Sequence, residues 1–276
     1  MRFVYVAFVF AILILPFISK AMYLGVEGPV NGTLYNNGSI FLGKIGPGES
    51  FYVLASPSTT NTSGFYVNIG WDTLEAVKLP SGWYAQPSPL YENPMKIKIT
   101  VAPNSSYGIY KIALRAVNIQ NYSKLGNLTF YAYINVTPDV FVLSVSPKIA
   151  ETGIGQPINL LVTINNTGIS DDPFVINAYG LPAWNISDTV IALHGKTSRF
   201  IYPVFVNEPG VYDFNLSVGS ATSSLIQKEY KIQLIGVASI SNDYSSINEG
   251  VVLSPIVYEP AYAVMLFLRE IYNYIK

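Results

Sequence analysis

The sequence contains no cysteine and few charges. The missing cysteine excludes a disulfide scaffold and thiolate metal sites, so each domain must be held by its own apolar core. Charged residues make up 12% of the 276 residues, about half of the roughly 25% that is usual in globular proteins. Lys and Arg form no cluster, and the formal net charge is −1. We therefore expect no nucleic-acid partner.

The residues needed for common catalytic sites are also scarce. His194 is the only histidine, so no His pair and no HExxH motif can form. Its turn, Leu193–Lys196, predicts a solvated loop residue. Gly43–Gly48 lacks the Lys-Ser/Thr that follows a phosphate loop. Asp72 and Glu75 are the nearest acidic pair in the first half, but nothing indicates a glycosidase site. We predict no enzyme, no catalytic residue and no cofactor.

Asp171 and Asp172 lie six and seven residues after Asn165. Together with backbone carbonyls they could form a calcium site in a loop. The spacing of an EF-hand is absent, however, and Asp-Asp-Pro is common in turns. The sequence favours an ordinary turn, and we predict no metal ligand.

The first 21 residues predict export. Arg2 is a lone positive charge before the apolar run Phe3–Ser19, and small residues at Ser19 and Ala21 fit cleavage after Ala21. The alternative is a retained anchor at residues 3–19, which is close to the shortest membrane span. In both cases the remaining chain lies outside the cytoplasmic membrane, because the positive flank stays inside. The predicted location is secreted or cell surface.

Sequons for N-glycosylation occur more often than the Asn, Ser and Thr content predicts by chance. Because Asn and Ser also cluster in turns for backbone reasons, the excess alone does not require glycans. Asn135 is the weakest acceptor, since Pro138 directly follows its Thr137. The predicted glycosylation sites are Asn31, Asn37, Asn61, Asn104, Asn121, Asn127, Asn165, Asn185 and Asn215.

The body of the chain predicts an all-β fold. Polar and apolar residues alternate in several segments, as they do in half-buried strands. The clearest are Lys96–Val101, Tyr110–Ala116, Asn159–Ile164 and Val211–Val218. Turn-rich stretches separate them, and no amphipathic helix of ordinary length precedes residue 260. This spacing is typical of a sandwich or barrel.

An internal repeat predicts two domains of about one hundred residues. The pattern Gly-x-Tyr beginning at Gly108 recurs at Gly210, with an offset of 102 residues. Upstream, Ile45-Gly46 corresponds to Ile154-Gly155 at an offset of 109, which predicts an extra loop in the first copy near Ser56–Gly64. The size fits one immunoglobulin-like sandwich per copy. The predicted domains are 22–137 and 138–236.

The tryptophans near the repeated motifs have a structural interpretation. We expect Trp83 and Trp184 to fill the space between the sheets, each with its indole N–H donating to a carbonyl. The alternative is that they form a stacking platform for sugars. Thr137–Asp139 joins the copies and is too short for free rotation, so we expect a semi-rigid tandem.

Two segments resemble known families. Leu79–Ala85, the strand Met95–Val101 and Ala102–Tyr110 resemble the immunoglobulin-like domain found beside bacterial and archaeal α-galactosidases. Leu161–Gly168, followed by Pro173-Phe174-Val175, resembles the CARDB domain, a cell-adhesion-related module. The two resemblances cover about residues 40–235. They imply a surface role as a spacer, adhesion element or accessory domain, and they specify the function poorly.

The tail 237–276 ends in a predicted short apolar helix at Ala261–Lys276. Pro260 suits the first turn of a helix. The helix could pack on the second sandwich, dock on a partner or lie at the membrane interface; a full membrane span is disfavoured. The predicted partner or membrane contacts are Val264, Leu266, Phe267, Leu268, Ile271 and Tyr272.

These features predict an exported, non-enzymatic envelope or cell-surface glycoprotein that scaffolds or adheres through tandem immunoglobulin-like domains. Many sequons without cysteine suggest an archaeal envelope. The expected partners are a protein or an envelope glycan, with membrane contact at either terminus. Two alternatives stay open: a carbohydrate-binding module, and an accessory subunit of a membrane-associated assembly docked by its C-terminal helix.

Overall fold

The computed structural model describes residues 23–60, 66–119, 126–182, 186–238 and 260–275. Its described residues are mostly β-strands, and one α-helix lies near the C-terminus. The strands form two groups, here called the N-terminal half (residues 23–136) and the C-terminal half (residues 141–237). The predicted all-β class is confirmed.

The N-terminal half contains two main sheets within the described ranges. Its strands are β1 (Tyr23–Gly28), β2 (Gly32–Tyr35), β3 (Ser39–Ile45), β4 (Ser50–Ala55), β5 (Ser58–Thr60), β6 (Tyr66–Gly70), β7 (Thr73–Lys78), β8 (Tyr84–Gln86), β9 (Met95–Thr100), β10 (Gly108–Val117) and β11 (Leu128–Val136). One sheet has the order β2-β1-β4-β9-β8 and the other β3-β11-β10-β7. Within this order, β1-β4-β9-β8 and β11-β10-β7 reproduce the two sheets of an immunoglobulin-like sandwich.

The C-terminal half has the same plan. Its strands are β12 (Phe141–Ser146), β13 (Ile149–Gly153), β14 (Ile158–Asn166), β15 (Asp172–Tyr179), β16 (Ser187–Ala192), β17 (Thr197–Val204), β18 (Gly210–Ser220) and β19 (Gln227–Val237). The sheets have the orders β12-β14-β17 and β13-β19-β18-β15-β16. In both halves an early strand pairs in parallel with the last one, β3 with β11 and β13 with β19.

Each half has its own apolar core, which follows from alternation along the strands. In β11, Leu128, Phe130, Ala132, Ile134 and Val136 are buried, and the residues between them are half-buried. Such alternation places one face of a strand on the core and the other toward solvent. The largest fully buried side chains include Phe51 and Phe130 in the N-terminal half, and Phe174 and Tyr202 in the C-terminal half.

A tyrosine hydrogen bond marks the repeat in three dimensions. The Tyr110 hydroxyl donates to the carbonyl of Ser106 at 2.9 Å, and the Tyr212 hydroxyl donates to the carbonyl of Glu208 at 3.0 Å. Both donors and both acceptors keep the offset of 102 residues found in the sequence. Each tyrosine therefore ties the start of its strand to the preceding loop in the same way.

The extra loop of the first copy is also present. The short strands β5 and β6 pair with each other between β4 and β7, whereas β14 leads to β15 without an inserted strand. The predicted insertion Ser56–Gly64 includes β5, and residues 61–65 lie outside the described residues.

Helix α1 (Pro260–Ile275) confirms the predicted C-terminal helix and begins at Pro260. In the described residues no helix is long and apolar enough to cross a membrane. The predicted signal or anchor at 1–21, with its cleavage site at Ala21, lies outside the described residues.

Candidate functional site

The two halves meet at a junction formed by backbone and side-chain contacts. Ile169 N–H donates to the carbonyl of Lys44 at 2.9 Å, and Lys44 and Gly168 form a parallel bridge. The Ser170 hydroxyl donates to the carbonyl of Ser50 at 2.8 Å. These bonds connect the start of β4 and the end of β3 with the segment between β14 and β15. The junction is therefore a packed interface as well as a linker.

Gly46 allows the closest approach across this junction. A Cβ at this position would lie 2.1 Å from Cδ1 of Ile226, which is fully buried. Real Cβ atoms do not come so close to a carbon, so only glycine fits without a shift of the neighbouring chain. The turn Gly46–Gly48 thus packs directly on the C-terminal half.

Glu49 is the residue of the junction that sequence reasoning missed. Only 2% of its surface is exposed. Its Oε2 accepts a 2.5 Å hydrogen bond from Gly46 N–H, and its carbonyl accepts one from Val101 N–H at 2.9 Å. Burial raises the pKa of Glu49 from 4.5 to about 8, and the nearby Asp172 carboxyl raises it further, against the lowering effect of the Gly46 bond. Glu49 therefore favours its protonated form.

Asp172 faces Glu49 from the other half and is 1% exposed. Its Oδ1 accepts a 3.0 Å hydrogen bond from the Thr222 hydroxyl. Its Oδ2 is buried without any partner. Burial raises the pKa of Asp172, while the nearby hydroxyls of Ser220 and Thr222 and the Glu49 carboxyl lower it in part. A proton on Glu49 would satisfy the orphaned Oδ2.

Two further contacts between an acidic and a basic side chain lie near the junction. Asp171 Oδ1 accepts from the backbone N–H of His194 at 2.8 Å and contacts its Nδ1 at 2.6 Å. Burial raises the pKa of Asp171, but the contacts with His194 outweigh this effect and hold it below its usual value. On the linker, Lys228 Nζ lies 2.7 Å from Asp139 Oδ1. Each of these basic side chains contacts its own acid.

The two aspartates of the calcium hypothesis thus have separate environments. Asp171 pairs with His194 at the surface, whereas Asp172 begins β15 and is buried against Glu49. The expectation of an ordinary turn is wrong for Asp172, which is the first residue of β15. The described residues contain no group of three or more His, Cys, Asp or Glu that could hold a metal.

Asp72 and Glu75 have structural contacts. Asp72 Oδ2 accepts from Ile119 N–H at 2.7 Å. Glu75 Oε1 forms an ion pair with Arg115, whose register places it directly opposite on β10. Each carboxylate therefore has its own partner.

The predicted glycosylation sites differ in their surroundings. Asn31, Asn37, Asn104 and Asn127 are exposed and lie in turns or loops. Asn165 and Asn215 are half-buried within β14 and β18, which are paired on both sides. Asn135, the weakest sequon, lies within β11. Asn61, Asn121 and Asn185 lie outside the described residues.

Trp83 belongs to the core, as predicted. It is 8% exposed, and its ring packs on Tyr110 with 5.3 Å between centroids. Its Nε1 donates to the Ser105 hydroxyl at 2.9 Å, so the predicted carbonyl partner is wrong. Its counterpart Trp184 lies outside the described residues.

The predicted contact residues of the tail all lie on α1. Phe267, Leu268, Ile271 and Tyr272 are exposed, and the side chains at positions 264 and 266 are not among those described. The exposure of these four side chains leaves docking on a partner or a membrane open.

Sequence reasoning had one signal for Glu49. At the repeat offset of 109 it aligns with Ile158, so the first copy has an acid where the second has an apolar residue. A charged residue in place of an apolar one at a repeat position indicates a special contact. Asp172, its partner, is distant in the sequence, and only the topology brings the two together.

Comparisons with known proteins add little about function. No family profile and no curated protein matches the chain. Among solved structures, a chimeric titin Z1Z2 is 12% identical with a TM-score of 0.33, covering 79% of this chain and 99% of its own. The D00-D0 domain of intimin is 11% identical with a TM-score of 0.27, covering 77% and 99%.

A β-glucosidase from Listeria innocua is 17% identical with a TM-score of 0.26, and the match covers 36% of this chain. The chain spans only 16% of that enzyme's length. At these identities and TM-scores none of the similar structures indicates a function for this chain.

Proposed function

We propose that the chain is an exported envelope or cell-surface protein in which two tandem immunoglobulin-like domains act as a scaffold or adhesion element without enzymatic activity. The junction carries this proposal. Gly46 packs on Ile226, and Ser170 is bonded to Ser50, so the two halves are fastened to each other. A fastened pair of sandwiches suits a spacer that holds a binding partner at a fixed distance.

The short linker supports the same interpretation. Thr137 N–H donates to the carbonyl of Ile45 at 2.9 Å, and Asp139 pairs with Lys228. Val140 and Phe141, directly after the linker, are buried. Few freely rotating residues therefore separate the two cores, which favours a stiff tandem over two independent beads.

Export is tested in the cells that make the protein. Labelling intact cells with a membrane-impermeant amine reagent should modify the protein, and the mature chain should begin at residue 22 or keep residues 1–21 as an anchor. A cytoplasmic protein in the same cells is the control. A chain that is protected until lysis, like the control, would contradict the proposed location.

Glycosylation belongs to the same proposal. The four exposed loop asparagines, Asn31, Asn37, Asn104 and Asn127, are the most accessible acceptors among the described sequons. Peptide mass spectrometry of the native protein should find glycans at several of them. If the protein purified from its source carries no glycan, the glycosylation part of the proposal is wrong.

One surface favours the carbohydrate-binding alternative. On the outer face of the first sheet, Tyr52 pairs across strands with Lys98, and Lys96 Nζ lies 4.0 Å from the Tyr52 ring centroid. Tyr84 is exposed on the same face. Aromatic rings stack on sugars, and lysines attract acidic ones. Because Trp83 is buried, any such platform rests on tyrosines.

A glycan array tests this alternative directly. Tyr84→Ala should weaken binding if the face recognises sugar, whereas Tyr107→Ala, which removes an exposed tyrosine in the loop before β10, should not. Both variants should fold, because both side chains are exposed. If the wild-type protein binds no glycan, the carbohydrate-binding alternative is wrong.

The third function, an accessory subunit docked by α1, rests on the exposed side chains of that helix. A photo-reactive amino acid at Phe267 should capture one defined protein if the helix docks on a partner. The matched control is the same probe at Arg269, which is also exposed on α1. Equal, diffuse labelling from both positions would contradict specific docking.

The family resemblances remain part of the proposal. The described strands agree with an immunoglobulin-like layout for both resembling segments. The more specific assignment to CARDB or to the α-galactosidase-associated domain has no match to support it.

A further inference from the structure

We infer that Glu49 and Asp172 form a proton-binding site that fastens the two halves to each other, so that the junction is tight in acid and loosens in mildly alkaline solution. The inference goes beyond the proposed surface function and does not depend on export. It rests on three observations: where the pair lies, which atoms lack partners, and which charges surround it.

The position of Glu49 and Asp172 lets the pair hold the two halves together. Glu49 lies at the start of the N-terminal half's β4, directly after the Gly46–Gly48 turn, and Asp172 begins β15 in the C-terminal half. Both are almost completely buried. Any change in their mutual attraction or repulsion therefore acts across the interface between the halves.

The hydrogen bonds require a proton. Glu49 Oε2 already accepts from Gly46 N–H, and Asp172 Oδ1 already accepts from Thr222. The remaining buried oxygen, Oδ2 of Asp172, has no donor in the described structure. A buried acceptor without a donor is destabilising, because it has lost its hydrogen bonds to water. A protonated Glu49 supplies this donor and removes the repulsion between two carboxylates.

The surrounding groups assign the proton to Glu49. Asp172 accepts a hydrogen bond from Thr222 and lies near the Ser220 hydroxyl, and both hydroxyls favour its ionised form. Glu49 receives only the Gly46 backbone bond, and the charge of Asp172 disfavours its ionisation. The elements packed on the pair contribute hydroxyls and backbone groups, and neither carboxyl has a cation among its neighbouring charges.

Other titratable groups lie close but are already paired. Asp171 pairs with His194 beside Asp172, and Lys228 pairs with Asp139 on the linker. Lys96 and Lys44 act on these outer aspartates and not on the buried pair. The contacts with His194 hold the pKa of Asp171 below its usual value.

The direction of the pH effect follows from linkage. Glu49 has a pKa near 8 in the folded chain and an ordinary carboxyl pKa of 4.5 when unfolded. The folded state thus binds the extra proton between these values, and its stability falls as the pH rises through that range. Each pH unit changes the equilibrium constant by up to about tenfold.

The first test compares unfolding free energies at pH 5 and pH 8. The unfolding constant of the wild type should rise by on the order of a thousandfold over this range, with Glu49 responsible for most of the change. Glu49→Gln should remove most of this dependence, because its amide accepts from Gly46 and donates to Asp172 at any pH. Glu27→Gln, an exposed control in β1, should behave as the wild type.

A second variant covers the case in which Glu49→Gln does not fold. Asp172→Asn should also flatten the pH dependence, since its amide can donate to Glu49. If wild type and folded variants show the same pH dependence, the proposal is wrong.

A third test measures the junction itself. Because the chain has no cysteine, Gln86→Cys and Ile191→Cys can carry spin labels on exposed positions of the two halves. The distance distribution should be narrow at pH 5 and broader at pH 8.5, and Glu49→Gln should keep it narrow at both. A distribution that does not change with pH would overturn the proposal.

Calcium provides the competing explanation for two facing carboxyls. Addition of calcium chloride to the wild type at pH 8.5 should leave the distance distribution broad. If calcium narrows the distribution and stabilises the fold, the pair is a cation site and the proton-binding proposal is wrong.

Discussion

The N-terminal and C-terminal halves have the same arrangement of central strands and differ in their edge strands. Each half ties the start of one central strand to the preceding loop through a tyrosine hydroxyl, at Tyr110 and at Tyr212. Each also pairs an early strand in parallel with its last strand. The two halves differ in one edge strand. In the N-terminal half β8 pairs with β9 and so extends the sheet of β1 and β4, whereas in the C-terminal half β16 pairs with β15 and so extends the sheet of β18 and β19.

This difference shows which parts of the repeat are constrained. The paired central strands and the tyrosine bond keep their spacing, because a shift there would turn core side chains outward. An edge strand has one free side and can join either sheet. The acidic Glu49 occurs only in the N-terminal half, at its contact with the C-terminal half, and the added β5–β6 hairpin lies between β4 and β7 of the N-terminal half. The copies therefore differ in an added hairpin, in one edge strand and at the junction.

The largest expected effect on stability comes from a core residue of the N-terminal half and is compared with that of its exposed neighbour. Trp83→Ala removes a buried ring that packs on Tyr110, and it should lower the free energy of unfolding by about 3–5 kcal/mol. Tyr84→Ala, the exposed neighbour, should change it by less than about 0.5 kcal/mol. Urea unfolding measures both. Equal effects would contradict the core assignment of Trp83.

A smaller effect is expected at the junction, which has no equivalent within either half. Gly46→Ala places a Cβ against Ile226, and such overpacking should lower stability by about 1–3 kcal/mol. Gly25→Ala is the control, because its Cβ would make only an ordinary contact with Ser56. Thermal unfolding compares them. A neutral Gly46→Ala would mean that the halves do not pack here in solution.

The shared tyrosine bond should contribute similarly in both halves. Tyr110→Phe and Tyr212→Phe each remove one hydroxyl donor and keep the ring, so each should cost about 0.5–1.5 kcal/mol. Urea unfolding of the two single variants measures this. A large effect in one half and none in the other would show that the two bonds are not equivalent.

The smallest expected effect concerns the linker. Asp139→Asn breaks the pair with Lys228, whose acid is largely exposed, so the loss should stay below about 0.5 kcal/mol after screening by solvent. Lys228 holds the pKa of Asp139 below its usual value. The contribution is thus present near neutral pH and is lost as the pH falls through that lowered pKa. A larger loss at neutral pH would assign the linker a role that the account gives to the buried junction.

Much of the fold could be predicted from local patterns. Alternation located β9, β10, β14 and β18, and the repeat offsets located the insertion in the first copy. These features depend on the spacing of residues along the chain, and this spacing can be counted in the sequence. The pairing of β16 could not be predicted, because an edge strand with alternating polarity fits either sheet.

The junction could not be predicted for a different reason. Glu49 and Asp172 become neighbours only through the packing of two folded halves, and their burial depends on that packing. In the sequence Asp172 belongs to an Asp-Asp-Pro segment that predicts an ordinary turn. An acid at a position that is apolar in the other copy was the only local signal.

The central claim is that the two halves are held as one body by their junction. The most direct measurement is the distance distribution between spin labels at Gln86→Cys and Ile191→Cys at pH 5. We expect one narrow peak, because Gly46, Ser170 and the protonated Glu49 hold the two halves in a fixed arrangement. A broad distribution at pH 5, of the kind given by two domains on a free linker, would contradict it.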